Sequence, residues 1–154
     1  MTKPTPVPTP LSQPFWQAGA NGELRMQRCL ACGHIRFPIG PVCTCCLSPD
    51  AEWVPVSRHG KVLSHLVFHR GYSADWREEV PYSVVMVQLE EGPRLFLDVI
   101  DPDKIYVETD LVGLEVDITF EVMADNIGVP RAVPRSVPAA WAHAGQAPDG
   151  DAGK

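Results

Sequence analysis

The chain has 154 residues, 45% of them hydrophobic, which suffices for one modest core or two small modules and excludes a large two-lobed enzyme. Its formal charge of -6, with a sequence pI near 5.3, repels phosphate backbones and disfavours general nucleic-acid binding. The longest apolar runs, such as residues 82–89, are too short to cross a bilayer, and the N-terminus lacks the basic, then apolar, then small-residue layout of a secretory signal, so a soluble, cytoplasmic protein is expected.

Residues 1–14 carry Pro4, Pro6, Pro8, Pro10 and Pro14, which block helix and ladder alike and mark an extended, flexible arm. Phe15 and Trp16 then offer apolar anchors for a short helix, with Gly19 as its stop signal. A helical segment and a metal-bound ribbon are expected over residues 15–54.

All five cysteines fall between positions 29 and 46, unlike the even, dispersed set of a secreted disulfide scaffold. Cys29 and Cys32 enclose two residues, as do Cys43 and Cys46, so each pair forms a knuckle with two thiolates aimed at one ion, and two knuckles complete a tetrahedron. Structural Zn²⁺ is expected there, with rubredoxin-like iron as the alternative that the same four-thiolate set accepts. Gly33 suits the sharp turn after the first knuckle, where backbone N–H groups face the sulfurs; the second knuckle has Leu47 instead. A hairpin through His34, Phe37 and Pro38 spans the gap. Cys45, one residue from Cys43, reads as a spare thiol, and His34 as a surface residue.

Residues 55–134 read as strands separated by turns. Val62, Leu66 and Phe68 partly alternate with Ser64 and His65, and residues 82–90 (YSVVMVQLE) form a β-branched run. A turn at 91–93 leads into 94–100 (RLFLDVI), and 114–122 (LEVDITFEV) alternates cleanly between apolar and polar positions. A last turn at 124–128 returns the chain to a short segment near 129–133. About five strands with little helix suggest a small closed or partly open barrel of the OB type. Residues 135–154, rich in Ala, Gly, Asp and Pro and without periodicity after Trp141, read as a disordered tail.

No nucleophile is free in this layout. Four cysteines go to metal and Cys45 lies within a knuckle, so no catalytic residue is assigned. His59, His65 and His69 fall around the first barrel strand, where a histidine beside a carboxylate reads as a hydratase-like acid/base or else as a polar residue facing solvent or a partner; His65 and His69 are evenly spaced and would share a face of a regular strand. The cations Arg58, Lys61, Arg70, Arg77 and Arg94 either collect on one barrel face or stay dispersed. The loop at 71–79 (GYSADWREE), with Tyr72 and Trp76 among charges, has the composition of a partner contact.

The order of parts is more specific than any one of them. Phe15-Trp16, RCLACGHIRFP at 28–38, CTCC at 43–46, Trp53, Gly60-Lys61-Val62, Pro81-Tyr82-Ser83-Val84, the Gly92 turn, VGLEV at 112–116 and VPRAVP at 129–134 together resemble the zinc-ribbon-plus-OB-fold proteins that accompany thiolase-like enzymes. That resemblance covers roughly residues 15–134. It implies a mainly β protein with a short N-terminal helical segment, a rubredoxin-like zinc ribbon and a C-terminal OB-fold barrel. It also implies an accessory subunit that binds acyl-CoA for a thiolase-like catalytic partner in a hetero-oligomer, with steroid side chains or aromatic acids among the substrates. The five cations are then candidates for the CoA phosphates. One departure is that the family often carries Pro-Pro-Arg between the knuckles, whereas Pro38 is followed here by Ile39 and Gly40. Two other classes remain beside the accessory subunit: a hydratase or acyltransferase using the barrel histidines, and a nucleic-acid-binding module.

Overall fold

The structure, a computed structural model, describes residues 4–136. All but the first two residues of the tail expected at 135–154 lie outside that range.

The chain enters a helix earlier than its prolines suggest. Thr9 and Ser12 close a turn on each other, the Thr9 N–H donating to Ser12 Oγ at 3.0 Å and the Ser12 N–H to Thr9 Oγ1 at 3.2 Å. Helix α1 follows at Gln13–Ala20. Pro14 sits in its first turn, where a missing N–H is no loss, so the proline-rich arm ends short of residue 14. Nor is Gly19 the stop signal. The helix closes at Gly22 (φ 77), with the Glu23 N–H returning to the Ala18 carbonyl at 2.9 Å. Gly19 faces Gly128 instead, and a Cβ on Gly19 would lie 2.5 Å from the Gly128 carbonyl oxygen. The bare backbones let α1 rest directly on the barrel.

Two antiparallel sheets follow. The first has the order β2-β1-β3, from β1 (Arg25–Cys29), β2 (Ile35–Arg36) and β3 (Ala51–Pro55). The second has the order β6-β5-β4-β7-β8, from β4 (His59–Phe68), β5 (Tyr82–Leu89), β6 (Arg94–Asp98), β7 (Glu115–Met123) and β8 (Ile127–Pro134). Alternation assigns the faces. On β5, Ser83, Val85, Val87 and Leu89 are buried while the residues between them are half-buried; on β6, Leu95 and Leu97 turn inward and Phe96 outward. A bulge between Val62 and Ser64 shifts the β4 register, so His65 joins the inward set opposite Val85 and Leu66 the outward set opposite Val84.

The barrel is only partly closed. Its edge strands approach at one isolated parallel bridge, Val99 to Ala132, where the Ile100 N–H donates to the Ala132 carbonyl at 2.9 Å. This explains why the expected strand over 94–100 stops at Asp98. The last strand is longer than expected, because Asp125 and Asn126 make the tight turn in left-handed conformations (φ 60 and 58) and free residue 127 for pairing. A single turn of helix, α2 (Ala74–Arg77), lies within the loop after β4. Phe15, Leu24 and Met26 share one core cluster with Val62, Val85, Leu97 and Ile118, so helix, ribbon and barrel are buried together.

Candidate metal centre and ligand surface

The two knuckles repeat each other's backbone. The Cys29 N–H donates to the His34 carbonyl at 2.9 Å and the Cys43 N–H to the Ser48 carbonyl at 2.8 Å. Gly33 and Leu47 donate to the carbonyls of Cys29 and Cys43, each at 2.9 Å. Gly33 (φ 74) and Leu47 (φ 62) occupy the same left-handed position, so the second knuckle makes the same turn without glycine. Leu47 is 74% exposed, and no burial offsets the strain.

This geometry brings the four sulfurs of Cys29, Cys32, Cys43 and Cys46 within 4.8 Å of one another. Cys29 and Cys46 are 3.5 Å apart and Cys32 and Cys43 3.6 Å, close to the roughly 3.8 Å between sulfurs around a tetrahedral ion with Zn–S of about 2.3 Å. The donor set and spacing fit a closed structural zinc site. Proton affinities within the cluster are split. The backbone N–H of Cys46, helped by that of Cys45, draws the Cys43 thiol down to about 6 against its burial. The N–H of His34 pulls Cys32 down too, but the neighbouring thiols and burial push it up to about 12. Four thiolates become compatible only around a cation. Cys45 lies outside the four, exposed, with its N–H donating to Cys43 Sγ at 3.4 Å.

Beside the ribbon, Arg36 is buried with only neutral partners. Its Nε donates to Gln27 Oε1 and its Nη2 to the Gly40 carbonyl, each at 3.1 Å. The Gly40 N–H donates to the same Gln27 oxygen at 3.1 Å, so this network pins the loop between the knuckles.

The structure separates the three histidines. His59 contacts Asp117, which the Arg135 Nε also engages at 2.8 Å. Burial raises the Asp117 pKa, but these two partners outweigh it and hold the carboxyl below its ordinary range. His65 points into the barrel, its Nε2 3.0 Å from the buried Ser83 Oγ, and burial lowers its pKa, partly offset by Asp110. His69 lies beyond the end of β4, which stops at Phe68, and is exposed, so the short strand overturns the shared face expected for His65 and His69.

The five cations do not gather on one patch. Lys61 pairs with Gln88 across β4 and β5, and Gln88 with Arg94 across β5 and β6, which places Lys61 and Arg94 on one row of the outer barrel face. Arg58 precedes β4 and donates to the Gly22 carbonyl at 3.2 Å. Arg70 and Arg77 lie past the opposite end of β4, roughly 25 Å along the strand from Lys61 at 3.3 Å per residue. In the neighbouring loop Tyr72 is exposed, whereas Trp76, expected among the exposed residues, packs on Tyr82 with ring centroids 4.6 Å apart.

A cleft of about 780 Å³ opens beside Trp76 and Tyr82. Its walls carry Glu78, Glu79, Asp98, Asp101 and Glu121 against Lys104 and Arg131. Arg131 is already paired with Asp98 at 2.8 Å and with Glu121, so the cleft is unsuited to a phosphate. Among the described residues, no helix is long and apolar enough to cross a membrane.

Family models match residues 16–121: "ChsH2, rubredoxin-like zinc ribbon domain" over residues 16–52 and "ChsH2, C-terminal OB-fold domain" over residues 53–121. The chain is 38% identical over 122 residues to a probable enoyl-CoA hydratase alpha subunit of Thermomonospora curvata, spanning 76% of this chain and 38% of that protein. It is 31% identical over 118 residues to the benzoylsuccinyl-CoA thiolase subunit BbsA of Thauera aromatica, spanning 74% of this chain and 77% of that one. Among solved structures, a chain of the Ltp2-ChsH2(DUF35) aldolase superposes with a TM-score of 0.71 at 30% identity, covering 86% of this chain and 100% of that chain.

Proposed function

The chain belongs to the ChsH2-type (DUF35) family that joins a rubredoxin-like zinc ribbon to an OB-fold domain, and on that premise we propose that it is a non-catalytic, acyl-CoA-binding accessory subunit of a thiolase-like complex. The partner is a thiolase or an aldolase acting on a CoA thioester, and it supplies the covalent chemistry. The observation that carries this reading is the engagement of the reactive groups: four thiols form the cluster, Cys45 lies in its second knuckle, and His59 and His65 are each held by their own neighbours. Among the described residues, no cysteine sulfur is hydrogen-bonded to a histidine ring. A closed four-thiolate shell offers rigidity rather than an open coordination position.

The alternative, a hydratase subunit, draws on the Thermomonospora relative. This chain spans only 38% of that protein, so the activity in its name has room to reside in the remainder. Of the five candidate cations, Lys61 and Arg94 share one row of the outer face, which supports a CoA-phosphate role for that pair over the other three. Co-purification of the tagged full chain from its own cells, with mass spectrometry of the partner, tests the assignment. A thiolase-fold subunit in fixed ratio, and thioester turnover only by the pair, is the expected result. Turnover by the isolated chain at the rate of the complex would overturn it.

A further inference from the structure

The outer face of strands β4, β5 and β6 carries exposed apolar side chains, Leu66 at 52% and Phe96 at 68%. Its residues form rows across the three strands: Leu66, Val84 and Asp98; then Ser64, Met86 and Phe96; then Lys61, Gln88 and Arg94. Phe96 is 68% exposed, although its neighbours Leu95 and Leu97 are buried. Arg94 precedes it by two residues on the same face, about 7 Å away along the strand. The Arg94 Nε donates to Gln88 Oε1 at 2.8 Å, which fixes the guanidinium and leaves its Nη groups to reach outward. Arg25, Arg28, Arg131 and Arg135 are all paired with carboxylates, but among the described residues Lys61 and Arg94 are not. In a chain of net charge -6, two cations without an ion-pair contact beside one exposed aromatic ring, with Glu115 opposite Lys61 in the ladder already engaged by Arg135 at 3.3 Å, form a local site for an anion that carries a flat base.

We propose that this face binds the phosphorylated adenosine end of CoA, with the adenine stacked on Phe96, the phosphates on Arg94 and Lys61, and the pantetheine arm running over Met86 and Val84 towards Leu66. The site lies on the second and third strands of the barrel, the face on which OB folds commonly hold nucleotides. A second copy of this chain is a poor occupant. Turned end for end to avoid setting cations on cations, it presents Asp98 to the Lys61 and Arg94 row, and Asp98 is already tied to Arg131 at 2.8 Å. A long polyanion is disfavoured by the net charge. The proposal rests on the acyl-CoA reading above and is more specific than it, because it names the surface and the end of the ligand that is held.

The test is calorimetry on the zinc-loaded full chain, and on its complex with the co-purified subunit, using CoA, adenosine 3′,5′-bisphosphate, pantetheine and a 20-nucleotide single strand as probes. The expected result is that CoA and the bisphosphate bind, pantetheine binds at least roughly tenfold more weakly, and added salt weakens CoA binding. Phe96→Ala and Arg94→Ala should each weaken CoA by about fivefold or more, with Arg77→Ala and Lys104→Ala unchanged. CoA affinity within about twofold of the parent for both Phe96→Ala and Arg94→Ala overturns the site while leaving the accessory role intact. So does pantetheine binding as tightly as CoA. Tighter binding of the single strand than of CoA makes the surface a nucleic-acid site and likewise overturns it. If neither chain nor complex binds CoA, the acyl-CoA part of the proposed function falls too, although co-purification still reports on assembly.

Discussion

Gly19→Ala separates tertiary packing from helix propensity, because the two predict opposite signs. In the interior of an isolated helix the change gains about 1 kcal/mol. Here the new Cβ would lie 2.5 Å from the Gly128 carbonyl oxygen, 2.9 Å from Phe120 Cδ1 and 3.1 Å from the Gly128 carbonyl carbon. Ordinary contact needs about 3.5 Å, so α1 and β8 must part by roughly 1 Å. Two of the three obstacles are backbone atoms and cannot rotate away. Overpacking of this kind costs up to about 3 kcal/mol, and subtracting the propensity gain leaves a net loss of about 2 kcal/mol. For a domain of this size that lowers Tm by about 5–8 °C. Thermal melts followed by circular dichroism, with urea titration at 25 °C, measure it. Gly40→Ala is the control, since its Cβ meets nothing closer than the Val42 carbonyl oxygen at 3.8 Å. An unchanged or raised Tm for Gly19→Ala would refute the claim that glycine is there for close approach.

Three further outcomes follow from the ribbon and barrel. Leu47→Gly should stabilise the chain by about 1 kcal/mol and slow metal release to a chromogenic chelator, because it relieves a left-handed leucine with little burial to lose. Cys43→Ser, or prolonged chelation, should unfold the ribbon hairpin, seen as loss of amide protection over β1 and β2, with a smaller loss in the barrel strands that share the Met26 core. Burial lowers the His65 pKa below 6.5, so the unfolded chain binds the proton more readily; stability is fully present above about pH 6.5 and declines as pH falls through the window below it. His65→Gln should flatten that slope in urea titrations between about pH 7 and pH 5.

What could be read from the sequence was whatever depends on near neighbours. The two C-x-x-C pairs place their sulfurs through one turn each, so Cys29, Cys32, Cys43 and Cys46 are identifiable from spacing, and the alternation over 114–122 marks Val116 and Ile118 as core-facing, although Val122 at its end is exposed. Pro14 is ambiguous in sequence because proline opens a helix as readily as it prevents one, the difference lying in the Thr9–Ser12 turn before it. Gly19 was misread because a glycine needed for close approach looks the same in sequence as one needed for a left-handed turn, and its reason, Gly128, lies over a hundred residues away. The same limit explains the histidines and cations. Even spacing puts two residues on one face only while the strand lasts, and β4 ends at Phe68, before His69, while the bulge at Val62 and Ser64 decides that His65 faces inward.

The two glycines also bear on how the metal centre serves the barrel. Zinc binding can organise only what is coupled to it, and β1 is the link: Cys29 ends that strand while Met26, within it, lies in the same core as Val62 and Val85. Helix α1 closes the circuit, with Phe15 in that core and Gly19 against β8. A ribbon mounted on a flexible linker could bind zinc equally well, yet it could not hold a fixed angle to the β4-β5-β6 face. The shared core therefore makes the four cysteines a brace for that surface rather than a separate module. Substitutions at the α1 and β8 seam should accordingly alter the presentation of both ends of the molecule before they affect either site by contact.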